Sequence, residues 1–350
     1  MNEGRFTMGR VPWLHVGPQQ RTDVAELAAL AGGAIAQPGR SSSAIQRLRA
    51  AHVPLALQQA WPDEQDQARL WEAHEEWLGR QHGVAFMTTQ TQWIPNPSKL
   101  GIRELKPAIR QLQLEVVLAR EREAGTTCMA MLAVEYRWLT QEAHRARLIA
   151  ELSDFGGPVG LMLSKDRDPL DSAKTVEGLI TLLREVPKVA VLRCDNGAIG
   201  ALAFGAVGAS IGLTGGTRHF PPPETGGYAD LSDNTPRLLV PSILAWWKGS
   251  RLSYMDDDWM FRCNCSVCRG QSLTRFQDES LRHEAEAHSV AAWIQLAREV
   301  MSDPSGPERG WIQRCEQANQ ALEELEDSSG LVENPSRQLT AWLDVVGART

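Results

Sequence analysis

Short apolar runs of small and β-branched residues recur along the first two-thirds of the chain, at 13–16, 34–37, 53–58, 84–88, 129–134, 159–164, 189–193 and 209–213. None alternates cleanly between apolar and polar positions. Each therefore reads as a strand buried on both faces, as in a parallel sheet covered by helices. Amphipathic stretches of helical period separate them, at 23–31, 43–51, 65–80, 102–123, 141–153 and 172–185. Asp23 and Ser43 stand where helices should start, and Gly32, Gly33, Gly83 and Gly125 where they should stop. Eight strands alternating with helices in about 215 residues is the arithmetic of a (β/α)8 barrel of the TIM type. The pattern thus predicts an α/β fold with the barrel over 11–220. An open doubly wound sheet is the competing arrangement, but no G-x-G-x-x-G phosphate turn follows the first run.

Beyond the eighth run the texture changes. Pro221, Pro222, Pro223, Gly226 and Gly227 mark a loop, and 238–248 reads as a helical segment leading to the acidic run Asp256-Asp257-Asp258. A long helix is expected over 280–301, a loop over 303–310, a helix over 311–327 and one more short helix within 331–350. The pattern makes 221–350 a helical C-terminal subdomain.

That subdomain carries three cysteines in six residues, Cys263, Cys265 and Cys268, with His283 and His288 downstream. Closely spaced thiolates completed by one more Cys or His suit the tetrahedron of Zn²⁺. A disulfide or three inert thiols is the alternative; the remaining cysteines, Cys128, Cys194 and Cys315, are scattered. The two histidines are about 140° apart around a helix, so only one can face the ion. The N-terminal ten residues lack an apolar signal core and no run approaches a membrane span, which predicts a cytoplasmic protein with reduced thiols and no membrane partner. A net charge of −7 argues against a basic coat for nucleic acid over the whole surface. Arg251, Arg262, Arg269 and Arg275 form a local basic cluster, offset by the acidic run. The 12 tryptophans are expected mostly to pack.

A barrel followed by C-x-C-x-x-C and a histidine on a helix resembles the tRNA-guanine transglycosylase family. The segments 189–193, 198–206 and 208–218, ending in Thr217-Arg218, are similar to that family's strand 7, helix 7 and strand 8, and the likeness covers about 129–300. It implies Zn²⁺ on Cys263, Cys265, Cys268 and His288, since His288-Ser289-Val290 matches the family's histidine context better than His283 does. It also implies base exchange at a ribose carbon by aspartates, and those do not carry over. The strand-8 nucleophile falls on Gly212 or Leu213 and a second aspartate of that strand on Ser210. The acid/base position falls on Gln58 or Gln59, and the base-reading position on Thr88-Thr89-Gln90. No aspartate occurs between Asn196 and Tyr228. A carboxylate is needed because exchange passes through an oxocarbenium-like state that an anion traps.

Barrel enzymes place their chemistry at the C-terminal ends of strands. Those ends offer His15, Gln58, Gln59, Gln90, Gln92, Glu135, Lys165, Asp166, Asp168, Arg193, Asp195, Arg218 and His219. Asp195 and Glu135 are the candidate catalytic carboxylates. Asp195 could instead cap the next helix, and Glu135 could form a solvated pair with Arg137. Gly215 and Gly216 would admit a ligand close to the backbone and Arg218 would clamp its phosphate or carboxylate; a plain turn is the alternative. Lys165 to Asp168 reads as a solvated mixed-charge loop unless its place at a strand end gives it a role. Substitution of Asp195 or Arg218 at an open mouth should leave stability nearly unchanged. Two functions follow. One is a divergent transglycosylase of the pentosyl, base-exchanging type acting on a nucleobase or nucleoside group in tRNA, DNA or a small molecule. The other is a non-catalytic zinc-containing subunit, in a homo- or hetero-dimer, that partners an active enzyme.

Overall fold

The structure, a computed structural model, describes residues 8–17, 23–37, 43–58, 84–122, 127–222, 233–255, 259–329 and 337–347. The expected helix at 65–80, Gln59, Gly83, Gly125, Pro223, Gly226, Gly227, the acidic run and the start of the tail lie outside these residues. The apolar runs become strands β1 (Trp13–Val16), β2 (Ala34–Ala36), β3 (Leu55–Leu57), β4 (Met87–Thr88), β5 (Gln92–Ile94), β6 (Cys128–Glu135), β7 (Val159–Ser164), β8 (Val189–Leu192) and β9 (Gly208–Gly212). Between them lie α1 (Val24–Leu30), α2 (Ser43–Ala50), α3 (Lys99–Arg122), α4 (Arg137–Thr140), α5 (Glu142–Phe155), α6 (Ala173–Glu185), α7 (Gly197–Ala203) and α8 (Gly215–Arg218). Asp23 caps α1 by accepting from Ala25 N–H at 3.2 Å.

All pairings among these strands are parallel, in the order β3-β2-β1-β9-β8-β7-β6-β4, with β5 also on β6. Contact of β1 with β9 closes one seam, Trp13 opposite Ser210. Across the other seam, β3 to β4, Ala85 N–H bonds Leu55 O (2.7 Å) and Thr88 Oγ1–H bonds Leu57 O (2.5 Å) without a regular ladder among the described residues, so the eight-stranded barrel is nearly closed. Its fourth strand is in two pieces. Thr88 faces Met129 and Gln92 faces Leu132, so four steps along one strand oppose three along the other, the signature of a β-bulge. A single run at 84–88 does not foretell that bulge. Strands β6 and β7 are buried along their whole length, as two covered faces require. The interior is filled by Trp13, Ile35, Phe86, Met129, Met131, Met162 and Leu192, with Met8 at the strand starts and Phe220 at the mouth.

The segment 238–248 is not helical. It forms an antiparallel hairpin, β10 (Arg237–Val240) and β11 (Ala245–Lys248), with Leu239 opposite Trp246. Pro241 has no N–H to continue a helix, and Leu244 turns the chain at φ +48°. Then come α9 (Gly249–Leu252), α10 (Arg282–Met301), α11 (Pro307–Ser329) and α12 (Arg337–Gly347). The proline at 307 opens α11 four residues before the expected start, as proline in a first turn does. Helices α10 and α11 and Trp342 of α12 lie over α7, which is buried all round; Trp311 and Trp342 meet edge to face there at 5.7 Å. No helix among the described residues is long and apolar enough to cross a membrane.

Candidate functional sites at the knuckle and the barrel mouth

Cys263, Cys265, Cys268 and His288 converge, buried, with their ligand atoms within 4.8 Å of one another. A tetrahedron with metal–sulfur bonds of about 2.3 Å has corners about 3.8 Å apart, so the group is compatible with one metal ion. The chain folds this way because backbone N–H groups of the tight knuckle point at sulfur: Cys265 N–H at Cys263 Sγ and Cys268 N–H at Cys265 Sγ, both 3.4 Å. His288 turns Nδ1 to the sulfurs, 3.2 Å from Cys268 Sγ, and donates Nε2–H to Leu239 O at 2.7 Å. Such a second bond fixes the ring of a metal ligand. The neighbouring sulfurs push the Cys263 thiol up and the Cys265 thiol down. Three thiolates side by side need a cation between them. His283 lies elsewhere, half-exposed and 3.7 Å from Glu26.

The end of β8 carries the second cluster. Arg193 and Asp195 both adopt left-handed backbone, φ +59° and +51°, which costs non-glycine residues energy and persists where the surroundings over-determine it. Asp195 Oδ1 accepts from Asn196 N–H (2.9 Å) and Trp246 Nε1–H (2.5 Å), while Oδ2 lies 3.6 Å from Arg218 Nε and 3.3 Å from His219 Nε2. Sequence reasoning thus placed Asp195 beside Arg218 correctly but at the wrong depth. Both are buried, and Arg218 stacks 3.9 Å over the Trp246 ring. Nor does Asp195 cap α7 in the usual way. The Gly197 N–H at the helix start goes to Gln338 Oε1, 3.1 Å away on α12. Burial would raise the Asp195 carboxyl, but the His219 bond, the Arg218 charge and the Trp246 indole together hold it below its usual value.

Asp195 lines a cavity of about 290 Å³ with Asp168, Asn196, Trp246, Trp247, Arg251 and Gln338. Glu135 is not part of it. That carboxylate instead meets Arg137, by Nη1 at 3.3 Å and by its backbone N–H at 2.9 Å. The partner that Asp195 does have is Asp168, read from sequence only as part of a charge run. Burial and the Asp195 charge push Asp168 up to about 7. Such a carboxyl binds its proton more tightly when folded, so stability should fall as pH rises from about 4, its unfolded value, to about 7. We expect the stability gap between Asp168→Asn and wild type to widen in the variant's favour across that window. A gap in urea unfolding that is independent of pH would contradict this. A larger groove of about 520 Å³ beside the knuckle is lined chiefly by charged and amide side chains of α10 and α11.

Gly215 and Gly216 form one helical turn capped by Thr214, and a side chain on either would meet nothing within 4 Å. Gly212 is the opposite case. A Cβ there would sit 2.2 Å from Thr217 Oγ1 and 2.3 Å from the Thr217 backbone. Position 212 therefore has no room for an aspartate side chain, and Leu213, the other position the likeness offers, is filled by a buried leucine. Gly212→Asp should cost at least about 2 kcal/mol by overpacking, and an unchanged urea midpoint would refute that. Ser210 is also engaged, 3.2 Å from His15 Nδ1. Gln58 stays inside the barrel, 3.0 Å from Met162 Sδ. No protein-family model matches the chain, and no curated protein matches it.

Proposed function

We propose that the protein is a divergent transglycosylase-like barrel that takes a nucleobase or nucleoside group, in tRNA, in DNA or as a small molecule, into the cavity at Asp168 and Asp195. In this reading the knuckle and His288 hold one structural Zn²⁺, whose four positions are all filled by protein. One observation supports this choice of site: Asp168 and Asp195 line one cavity, where burial and the Asp195 charge push the first carboxyl up while the His219, Arg218 and Trp246 contacts hold the second down. Glycosidic cleavage asks that division of a carboxyl pair. Asp168 gives its proton to the departing base nitrogen, and the Asp195 carboxylate offsets charge developing at the ribose carbon. An incoming base or water then adds to that carbon and returns a proton to Asp168. Trp246 and Trp247 line the same cavity, each with an arginine guanidinium over its indole.

A second reading, a non-catalytic zinc-containing subunit that partners an active enzyme, is favoured by the two N–H donors on Asp195 Oδ1 and by the Arg218 and His219 side chains beside its Oδ2, which leave it little capacity for covalent attack. One experiment separates the two. Zinc-loaded protein is given tRNA or DNA with labelled guanine or a deazaguanine, and incorporation and base release are followed across the pH range around neutrality. The enzyme reading expects turnover that fades above about pH 7 as Asp168 ionises. It also expects a loss of about 10²-fold or more in Asp168→Asn, with binding retained. Binding without turnover at every pH leaves the subunit reading standing, and neither binding nor turnover refutes both.

A further inference from the structure

Arg193 is the other buried cation at the barrel mouth, and unlike Arg218 it has no carboxylate paired with it among the described residues. One guanidinium nitrogen, Nη2, donates to the carbonyls of Gly216 and His219. These two bonds orient the group across the Phe220 ring, 4.9 Å from its centroid. Nε is buried with no acceptor. Ser164, whose backbone pairs with Phe220, likewise buries a hydroxyl with no partner. Beside them the Gly215–Gly216 turn faces open space. An unpaired buried charge is costly, and folds keep one where something else neutralises it.

We propose that the barrel mouth binds a compact oxyanion, a phosphate ester or carboxylate group of a small ligand, against Arg193, with the Gly215–Gly216 turn as its way in. Phosphate sites after the seventh and eighth strands recur in barrels of this kind, which fits the position though not the residue. Burial lowers the Arg193 guanidinium to about 10, well above neutrality, so the group keeps its charge for an anion. The inference does not rest on the Asp168–Asp195 reading.

The test is the melting of the zinc-loaded full chain in inorganic phosphate, in acetate and in chloride at matched ionic strength, with phosphate affinity measured by calorimetry. Phosphate is expected to raise the melting temperature beyond chloride. Arg193→Met and Gly216→Leu should each weaken phosphate at least tenfold, and Asp168→Asn should leave its affinity unchanged. In the absence of anion, Arg193→Met should melt higher by ~2–4 °C, because it removes an uncompensated charge. Acetate acting as strongly as phosphate supports the site and assigns it to carboxylates; phosphate alone assigns it to phosphate esters. Phosphate no better than chloride, or equal affinity in Arg193→Met, overturns the proposal and leaves the free Nε to a buried water. Should Arg193→Met fail to fold, Gly216→Leu decides. It has space for its side chain, so unchanged phosphate affinity there overturns the proposal as well.

Discussion

Cys265→Ser is expected to strip the metal from the protein and to unfold much of its C-terminal third. The sulfur at 265 sits at the centre of the group, accepting from Cys268 N–H and lying 3.5 Å from His288 Nδ1. Without an ion, three thiols and an imidazole are left buried around a space that nothing fills. Structural Zn²⁺ sites contribute about 10–16 kcal/mol of apparent binding free energy, more than the whole stability of most domains. Zinc content near one per chain should fall to zero in Cys265→Ser, and strong chelation of the wild type should abolish the same part of the melting transition. His283→Ala should change neither, because its ring lies outside the group. Full zinc content in Cys265→Ser with an unaltered melting curve would exclude a metal role for the knuckle.

The second large effect is expected from Asp195→Ala. The substitution leaves Arg218, 3% exposed, without its paired carboxylate and with only the weaker field of Asp168, and it frees the indole N–H of Trp246. Breaking one side of a buried pair in this way costs about 3–5 kcal/mol. Replacing both residues, Asp195→Ala with Arg218→Met, should recover much of the loss, because the stranded cation goes as well. Chemical denaturation of the two single variants and the double supplies the cycle. An Asp195→Ala variant as stable as wild type, or a double variant as unstable as the sum of the singles, would show that the pair is not the clasp described above. This outcome also separates the buried network from the open-mouth expectation, under which both substitutions are mild.

The barrel was legible in the sequence because its strands are unbroken apolar runs; 159–164 coincides with β7 residue for residue. The metal group was legible because four ligands with fixed spacing leave little choice of geometry. What failed was local pattern where distant contacts decide. The hairpin at 237–248 has strand neighbours of helix-compatible composition, and only Pro241 hints at the break. Glu135 and Asp195 looked equivalent as strand-end carboxylates, yet Asp195 finds Trp246 across 51 positions while Glu135 finds Arg137 two positions away. Asp168 hid within a charged run because the residues that share its cavity, Trp246 and Gln338 among them, belong to the C-terminal elements. Arg193 was one name among thirteen strand-end residues. That no carboxylate among the described residues pairs with it is visible only in three dimensions.

The pairing of Leu239 with Trp246 ties two distant chemistries to a single rung of one ribbon. His288 grips that rung by the Leu239 carbonyl, and Asp195 is gripped from it by the Trp246 indole. A metal held by the knuckle would thereby be a condition on the barrel as well. A chain made under zinc starvation would retain its apolar strands but lose a donor that fixes the charge at the end of β8, and the proton affinity of Asp195 would climb toward that of any buried carboxyl. Trp246 lies against both Arg218 and Trp293. Its emission would change as the ribbon loosens, so Trp246 would report the loss of a metal from the knuckle.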